Sequence, residues 1–284
     1  MWIIVMSLEK RIAFLTSLLA FAFMLFACAG QKKSDPVEGK EMTPADHALM
    51  ASEFLIMDSL SQIGVMLANQ DGLAWVASDS LNVDLPEPQW NELKGWVAQG
   101  SLTNGFCLFY GRSDSGFVQL ARYDFVNGVM SRAVGNIEIP EGKILDLVRM
   151  NDSASTFFRN SKEKEEIRYN SYILEKDGKY IFYVMPASTN EYVVYGGSMK
   201  LTMVDGSWVI EKLHKGPIGL KWESVRNGDE VVRTSTMGPL LNEADFAQYY
   251  ITRQAVPKQF IRTSKYTILL TKDKDGKMAI IVAR

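Results

Sequence analysis

The residues able to do chemistry are few and scattered along the chain. There are two cysteines, Cys28 and Cys107, and two histidines, His47 and His214. No histidine pair stands at i,i+4, so the donor spacing of a zinc site is missing and no metal is expected. His47 falls in the first turn of an expected helix, a poor place for its cationic form. His214 lies between Lys212 and Lys215, cations that favour its neutral form. Both read as surface or loop residues. Ser161-Lys162-Glu163-Lys164 has the spacing of a lysine-activated serine, but the Lys-Thr-Gly strand that accompanies it is absent. Gly196-Gly197-Ser198-Met199-Lys200 places small residues around a serine, yet Lys200 stands where a nucleophile elbow requires glycine. Asp273-Lys274-Asp275-Gly276 resembles the middle of a calcium loop, but counting from Thr271 the twelfth position is Val282, where a bidentate glutamate is needed. Gly111-Arg112-Ser113-Asp114-Ser115-Gly116 precedes no helix start that could hold phosphate. The sequence therefore assigns no catalytic residue and no cofactor.

The remaining signal is aromatic. Tyr180, Phe182, Tyr183, Tyr192, Tyr195, Trp208 and Trp222 crowd one stretch. Strand alternation puts Tyr180 and Phe182 on one face and Ile181 and Tyr183 on the other. Packing in a core is the default reading. Exposed, such rings make a platform for sugars or a protein partner, and Tyr195, Trp208 and Trp222 are the candidate binding residues.

The first 30 residues differ in kind. Lys10 and Arg11 precede an apolar run from Ile12 to Ala29, the layout of a secretory signal peptide. Met1-Trp2-Ile3-Ile4-Val5 is apolar ahead of those charges, so translation is expected to start at Met6. Leu25-Phe26-Ala27-Cys28 resembles the lipobox of bacterial lipoproteins, with Phe26 bulkier than the residue usual there. The resemblance implies cleavage before Cys28, lipidation of its thiol and acylation of the new amine. Each buried lipid methylene contributes ~0.8 kcal/mol, so two or three chains anchor stably. Ala29 follows the cysteine where enteric inner-membrane lipoproteins carry aspartate, which implies the outer membrane. The chain resembles uncharacterised lipoproteins of Gram-negative bacteria, of the Bacteroidota style. Gln31 to Glu41 is polar and bears Pro and Gly, as a flexible tether does. Lipidation would consume Cys28 and leave Cys107 without a disulfide partner. Its apolar setting, Gly105 to Phe109, reads as a buried strand with an inert thiol.

Composition bounds the rest. Of 284 residues, 47% are hydrophobic and 23% charged, inside the globular range. Lys+Arg is 31 and Asp+Glu 33, so no basic field exists to bind nucleic acid.

Thr43-Pro44-Ala45-Asp46 starts a helix, and Leu49, Ile56, Leu60, Ile63 and Leu67 form its expected inner face, widened by Met50, Phe54 and Met57. A second helix is expected over Glu87 to Gln99 and a third within Glu141 to Asn160. Elsewhere Asn-Gly or Asp-Gly punctuates apolar runs, which predicts five hairpins. They turn at Asn127-Gly128, Asp177-Gly178, Asp205-Gly206, Asn227-Gly228 and Asp275-Gly276. Helices grouped early and hairpins later predict an α+β fold. The expected organisation is a signal peptide over 1–27, a tether over 28–43, an α+β lobe over 44–160 and a β-rich lobe over 161–284. The polar run Ser161 to Glu166 marks the seam.

The function these features imply is a lipid-anchored envelope protein, membrane-bound through Cys28, that binds or scaffolds an envelope protein or glycan without catalysis. A glycan-binding lipoprotein using the aromatics is one alternative. A hydrolase with two carboxylates dispersed in sequence is another. Cys28→Ser is expected to abolish labelling by a fatty-acid analogue and to block signal cleavage. Unlabelled wild-type protein retaining residues 12–27 would overturn the anchor.

Overall fold

The computed structural model describes residues 44–84, 91–163, 167–189, 191–222, 230–234 and 238–283. Helix α1 (Pro44–Asp84) comes first. A four-stranded antiparallel sheet follows: β1 (Gly95–Gly100), β2 (Asn104–Ser113), β3 (Gly116–Val126) and β4 (Val129–Glu138). Helix α2 (Lys143–Arg159) leads to β5 (Tyr169–Lys176), β6 (Lys179–Pro186), β7 (Tyr192–Gly196), β8 (Met199–Val204), β9 (Ser207–Lys212) and β10 (Pro217–Lys221). Strands β5, β6, β8 and β9 form a second antiparallel sheet in that order, while β7 pairs with β10. Strand β11 (Glu230–Thr234), helix α3 (Glu243–Thr252) and strands β12 (Lys258–Arg262), β13 (Thr267–Lys272) and β14 (Met278–Ala283) complete the chain. The fold is α+β, with a long first helix and hairpin-rich sheets.

Helix α1 has 41 residues and is about 60 Å long at 1.5 Å per residue. Its inner face departs from the expected one at Leu49 and Ile56 and keeps Met50, Phe54, Met57 and Leu67. Leu49 and Ile56 are about half exposed, whereas Met50, Phe54, Met57, Leu67, Leu73, Ala77 and Leu81 are buried. Apolar residues ring much of this helix, so its sequence carried two candidate faces and packing chose between them. The N-terminal part of that face packs with α3 and the β12–β14 strands, and Leu67 with β5, β6 and α3. Leu73 to Leu81 pack on β1–β3. Gly64 marks the crossing with α3, where a Cβ would stand 2.4 Å from Phe246 Cβ and 2.8 Å from the Ala247 nitrogen.

The inner strands of both central sheets are covered on both faces. In β2, Leu108 and Tyr110 point into one cluster and Cys107 and Phe109 into another. In β6, Phe182 and Val184 face α2 while Tyr183 and Met185 face α1 and α3. This alternation is the one read from the sequence, and covering on both sides explains aromatics on both faces. One cluster joins Val97, Leu108 and Val148 to Ile173, Phe182 and Leu201, so apolar packing crosses the expected seam at residue 161.

The helix expected over Glu87 to Gln99 is not formed. Residues 85–90 lie outside the described residues, 91 and 92 form a turn, and Gly95–Gly100 is β1. The spacing of Leu93 and Val97 suggested a helix, but Val97 and Ala98 are buried in different clusters on opposite faces. A residue larger than Gly95 would also meet Tyr110 Oη at 2.8 Å. The hairpin expected at Asn227-Gly228 falls largely outside the described residues. The described strands that flank it pair elsewhere: β10 with β7, and β11 in parallel with β12. Helix α3 was not anticipated, although its signal is local. Asn242 accepts from the Ala244 and Asp245 amides, and Asp245 returns a bond to the Asn242 amide.

Three hairpins turn as read. Asn127, Asp177 and Asp205 have φ near +50°, and the glycines after them +70° to +77°. Positive φ at both central positions is the turn whose twist matches its strands. The fourth, at Asp275-Gly276, is a longer loop in which Asp273 Oδ1 accepts from the Asp275 and Lys277 amides. Gly206→Val should destabilise by about 1 kcal/mol or more through backbone strain alone, since nothing lies within 4 Å of an added Cβ. Denaturation beside Gly206→Asn tests this; equal stability of the valine variant and wild type would refute it.

Candidate functional site

The sequence-predicted binding residues do not form an open platform. Trp208 is buried beside Ile210, and its Nε1 donates to Ser153 Oγ at 3.1 Å. Tyr195 is buried with Val193 and Val256, and Trp222 packs half-buried against that separate cluster. Cys28 and its surroundings lie outside the described residues, as does the His47 side chain. Cys107 is fully buried in β2, and burial pushes its thiol pKa far up, which suits an inert thiol.

His214 is not a surface residue. It is buried on the segment after β9, where Nε2 lies 3.1 Å from Asp245 Oδ1 and 3.3 Å from Asn242 Nδ2. The α3 capping box thereby locks the ring. His214 Nδ1 and Ser198 Oγ are buried without hydrogen-bond partners among the described residues. Gly196 and Gly197, at φ +71° and +64°, carry Ser198 past this ring. Histidine, serine and aspartate are thus neighbours, but Ser198 is wholly buried and no substrate reaches it. Among the described residues, no three His, Cys, Asp or Glu side chains gather as metal ligands.

The open site is a cleft of about 860 Å³ where α1, β1, α2 and the β5–β6 hairpin meet. That volume is within the range of small-ligand pockets. Trp75 enters it from α1 and is more than half exposed. Trp96 comes from β1, Phe158 and Arg159 from the last turn of α2, and Arg168 from just before β5. The segment 187–189, with Glu191, closes one side.

Hydrogen bonds fix these walls. Asn151 of α2 is buried, and its Nδ2 donates to the Trp96 carbonyl at 3.2 Å and to Tyr110 Oη at 2.9 Å. Both donors are therefore used, while its Oδ1 accepts no bond among the described residues. Trp96 packs edge-on against Tyr172, ring centroids 5.8 Å apart. Tyr172 Oη donates to Asp71 Oδ1 at 2.8 Å, and Asn170 Nδ2 to the same oxygen at 3.3 Å. Burial raises the Asp71 pKa above the ordinary carboxylate value, more strongly than these two bonds lower it. The Ala187 amide bonds the Arg168 carbonyl at 2.9 Å, tying two rims together. Trp222 supports the third side: its Nε1 donates to the Thr189 carbonyl at 2.8 Å and its amide to the Glu191 carbonyl at 3.0 Å. Of the expected binding residues, Trp222 alone acts on the cleft, from behind.

Sequence reading missed Trp75, Trp96, Asn151, Arg159 and Arg168. They come from four separate stretches and share no motif. No family model matches the chain, and neither the curated proteins nor the solved structures give a match.

Burial separates two kinds of tryptophan. Trp208→Ala should cost ~3–5 kcal/mol, because a packed ring is replaced by a cavity. Trp75→Ala should change stability by no more than ~0.5 kcal/mol, because its ring is mostly solvated. Chemical denaturation of both variants checks this; equal losses would overturn the division.

Proposed function

We propose that the chain is a lipid-anchored envelope protein of the outer membrane that binds a ligand in this cleft without transforming it. The carrying observation is the cleft itself, with an exposed indole at its mouth and, inside, the amide oxygen of Asn151, which accepts no bond among the described residues. A fixed acceptor on a buried side chain selects a ligand N–H or O–H, because a group that leaves it unmatched forfeits that bond.

Two further features support binding over turnover. Glu191 is the one carboxylate among the described lining residues, whereas glycoside hydrolysis commonly uses two. The serine and histidine that share a neighbourhood are sealed from the cleft. The anchor at Cys28 agrees with this role.

The test is native mass spectrometry after incubation with the low-mass fraction of a cell-envelope extract. Wild-type protein is compared with Ser155→Trp, whose indole would occupy the cleft from α2. A bound adduct is expected on wild type and absent from the folded variant. A wild-type protein without adduct, or a variant that keeps it, would overturn the cleft as the ligand site.

A further inference from the structure

We infer that the cleft takes an acidic carbohydrate, an oligosaccharide bearing a carboxylate of the uronic acid kind. This rests on the cleft being the ligand site and concerns what that site selects.

Lys94, just before β1, Arg159, at the end of α2, and Arg168, just before β5, line the cleft from three separate segments. Among the described residues, none of them pairs with a carboxylate, and Arg159 alone makes a side-chain bond, to Thr156 Oγ1 at 3.2 Å. Elsewhere some cations are engaged, while others, such as Lys176 and Lys272, pair with no carboxylate among the described residues. Arg112 holds Asp152, Arg122 holds Asp124, Lys143 holds Glu175, Arg149 holds Glu141, and Lys200 bridges Glu211 and Glu243. The chain as a whole is slightly acidic, so a positive excess at one cleft is not a by-product of composition. Glu191 offsets one of the three cations and leaves the site positive.

The geometry favours a carboxylate over a phosphate. Phosphate sites use helix N-termini and glycine-rich loops, where amides and the dipole face the anion. Here α2 meets the cleft with its C-terminal end, at Arg159, where free carbonyls carry partial negative charge. A dianion is penalised there more than a monoanion. The planar guanidinium matches a carboxylate with two parallel hydrogen bonds.

The walls favour a sugar over a peptide. Trp75 offers a flat face for the apolar side of a pyranose ring. Ser155, Ser171 and Thr189 offer hydroxyls, and Asn151 Oδ1 offers an acceptor for a sugar O–H. A peptide would instead use an open strand edge. The two edge strands at the cleft, β1 and β5, approach within 8 Å between Cα atoms. That is closer than the about 9.6 Å, two strand spacings, needed to insert a third strand between them.

The experiment is calorimetric titration of the purified full chain in low salt. The probes are trigalacturonate and a hyaluronan tetrasaccharide, their methyl esters, uridine monophosphate and a triglutamate peptide. At least one free acid is expected to bind, at least tenfold more tightly than its ester. Arg168→Gln and Lys94→Gln should each weaken it at least tenfold with the melting temperature unchanged, since both side chains are exposed. Esters binding as tightly as acids, or indifference to both substitutions, would overturn the role of charge. Tighter binding of the nucleotide or the peptide would overturn the carbohydrate class. If neither acid binds while the envelope adduct still forms on wild type and not on Ser155→Trp, the cleft stands as a site and the acidic-sugar assignment falls.

Discussion

One face of α1 is the surface against which three sheets are assembled. Met50, Phe54 and Met57 anchor the β11–β14 sheet, Leu67 the sheet of β5, β6, β8 and β9, and Leu73, Ala77 and Leu81 the β1–β4 sheet. Each large side chain fully buried contributes roughly 1.5–3 kcal/mol, and here each also sets the place of a different sheet along one rod. Gly64 lets α3 approach closely in the middle of the helix. The buried bond from Gln70 Nε2 to the Ile173 carbonyl, at 2.9 Å, joins the same helix to β5. A break in α1 would therefore do more than remove one helix. It would release the relative positions of three sheets.

The cleft follows from this arrangement. The first and second sheets share α1 on one side and α2 on the other, and they diverge where Trp75, Trp96 and Phe158 meet. What keeps the gap from collapsing is polar. Asn151 bonds the Trp96 carbonyl, and Asp71 holds Tyr172 and Asn170 in place. Asp71 has a cost that depends on pH. Its folded pKa is raised by burial, so its contribution is most favourable below the ordinary carboxylate value and declines as pH rises through the shifted one. An apolar residue would not orient Tyr172 and Asn170, which makes the carboxyl a positioning group for the wall beside Trp96.

Much of the fold was legible because its signals are local. Asn127-Gly128, Asp177-Gly178 and Asp205-Gly206 form turns that demand positive φ, and few other residue pairs satisfy that demand cheaply. The alternation of Phe182 and Tyr183 was readable for the same reason, since a strand has only two faces. The failures were non-local. Leu93 and Val97 fit a helical spacing by accident, and only contact with β2 shows Gly95–Gly100 to be a strand. Which face of α1 turns inward depends on partners as distant in the chain as Ile280 and Val282. The candidate site was the least legible part. Lys94, Arg159 and Arg168 lie in unrelated surroundings, each reading as an ordinary solvated charge, and no spacing rule links them.

The contrast between floor and rim fits a binding site that is built in advance. Asn151 and Asp71 spend buried hydrogen bonds on holding aromatic walls, so these groups need not reorganise when a ligand arrives. The cations are exposed and pair with no carboxylate among the described residues, and Coulomb attraction acts over about a Debye length of 8–10 Å before contact. Partnering them with carboxylates, as Arg112 and Lys200 are partnered, would add little to stability, because exposed pairs contribute at most about 1 kcal/mol. It would also cancel the field at the mouth. Leaving them unpaired costs the fold almost nothing and keeps that field available to an incoming anion.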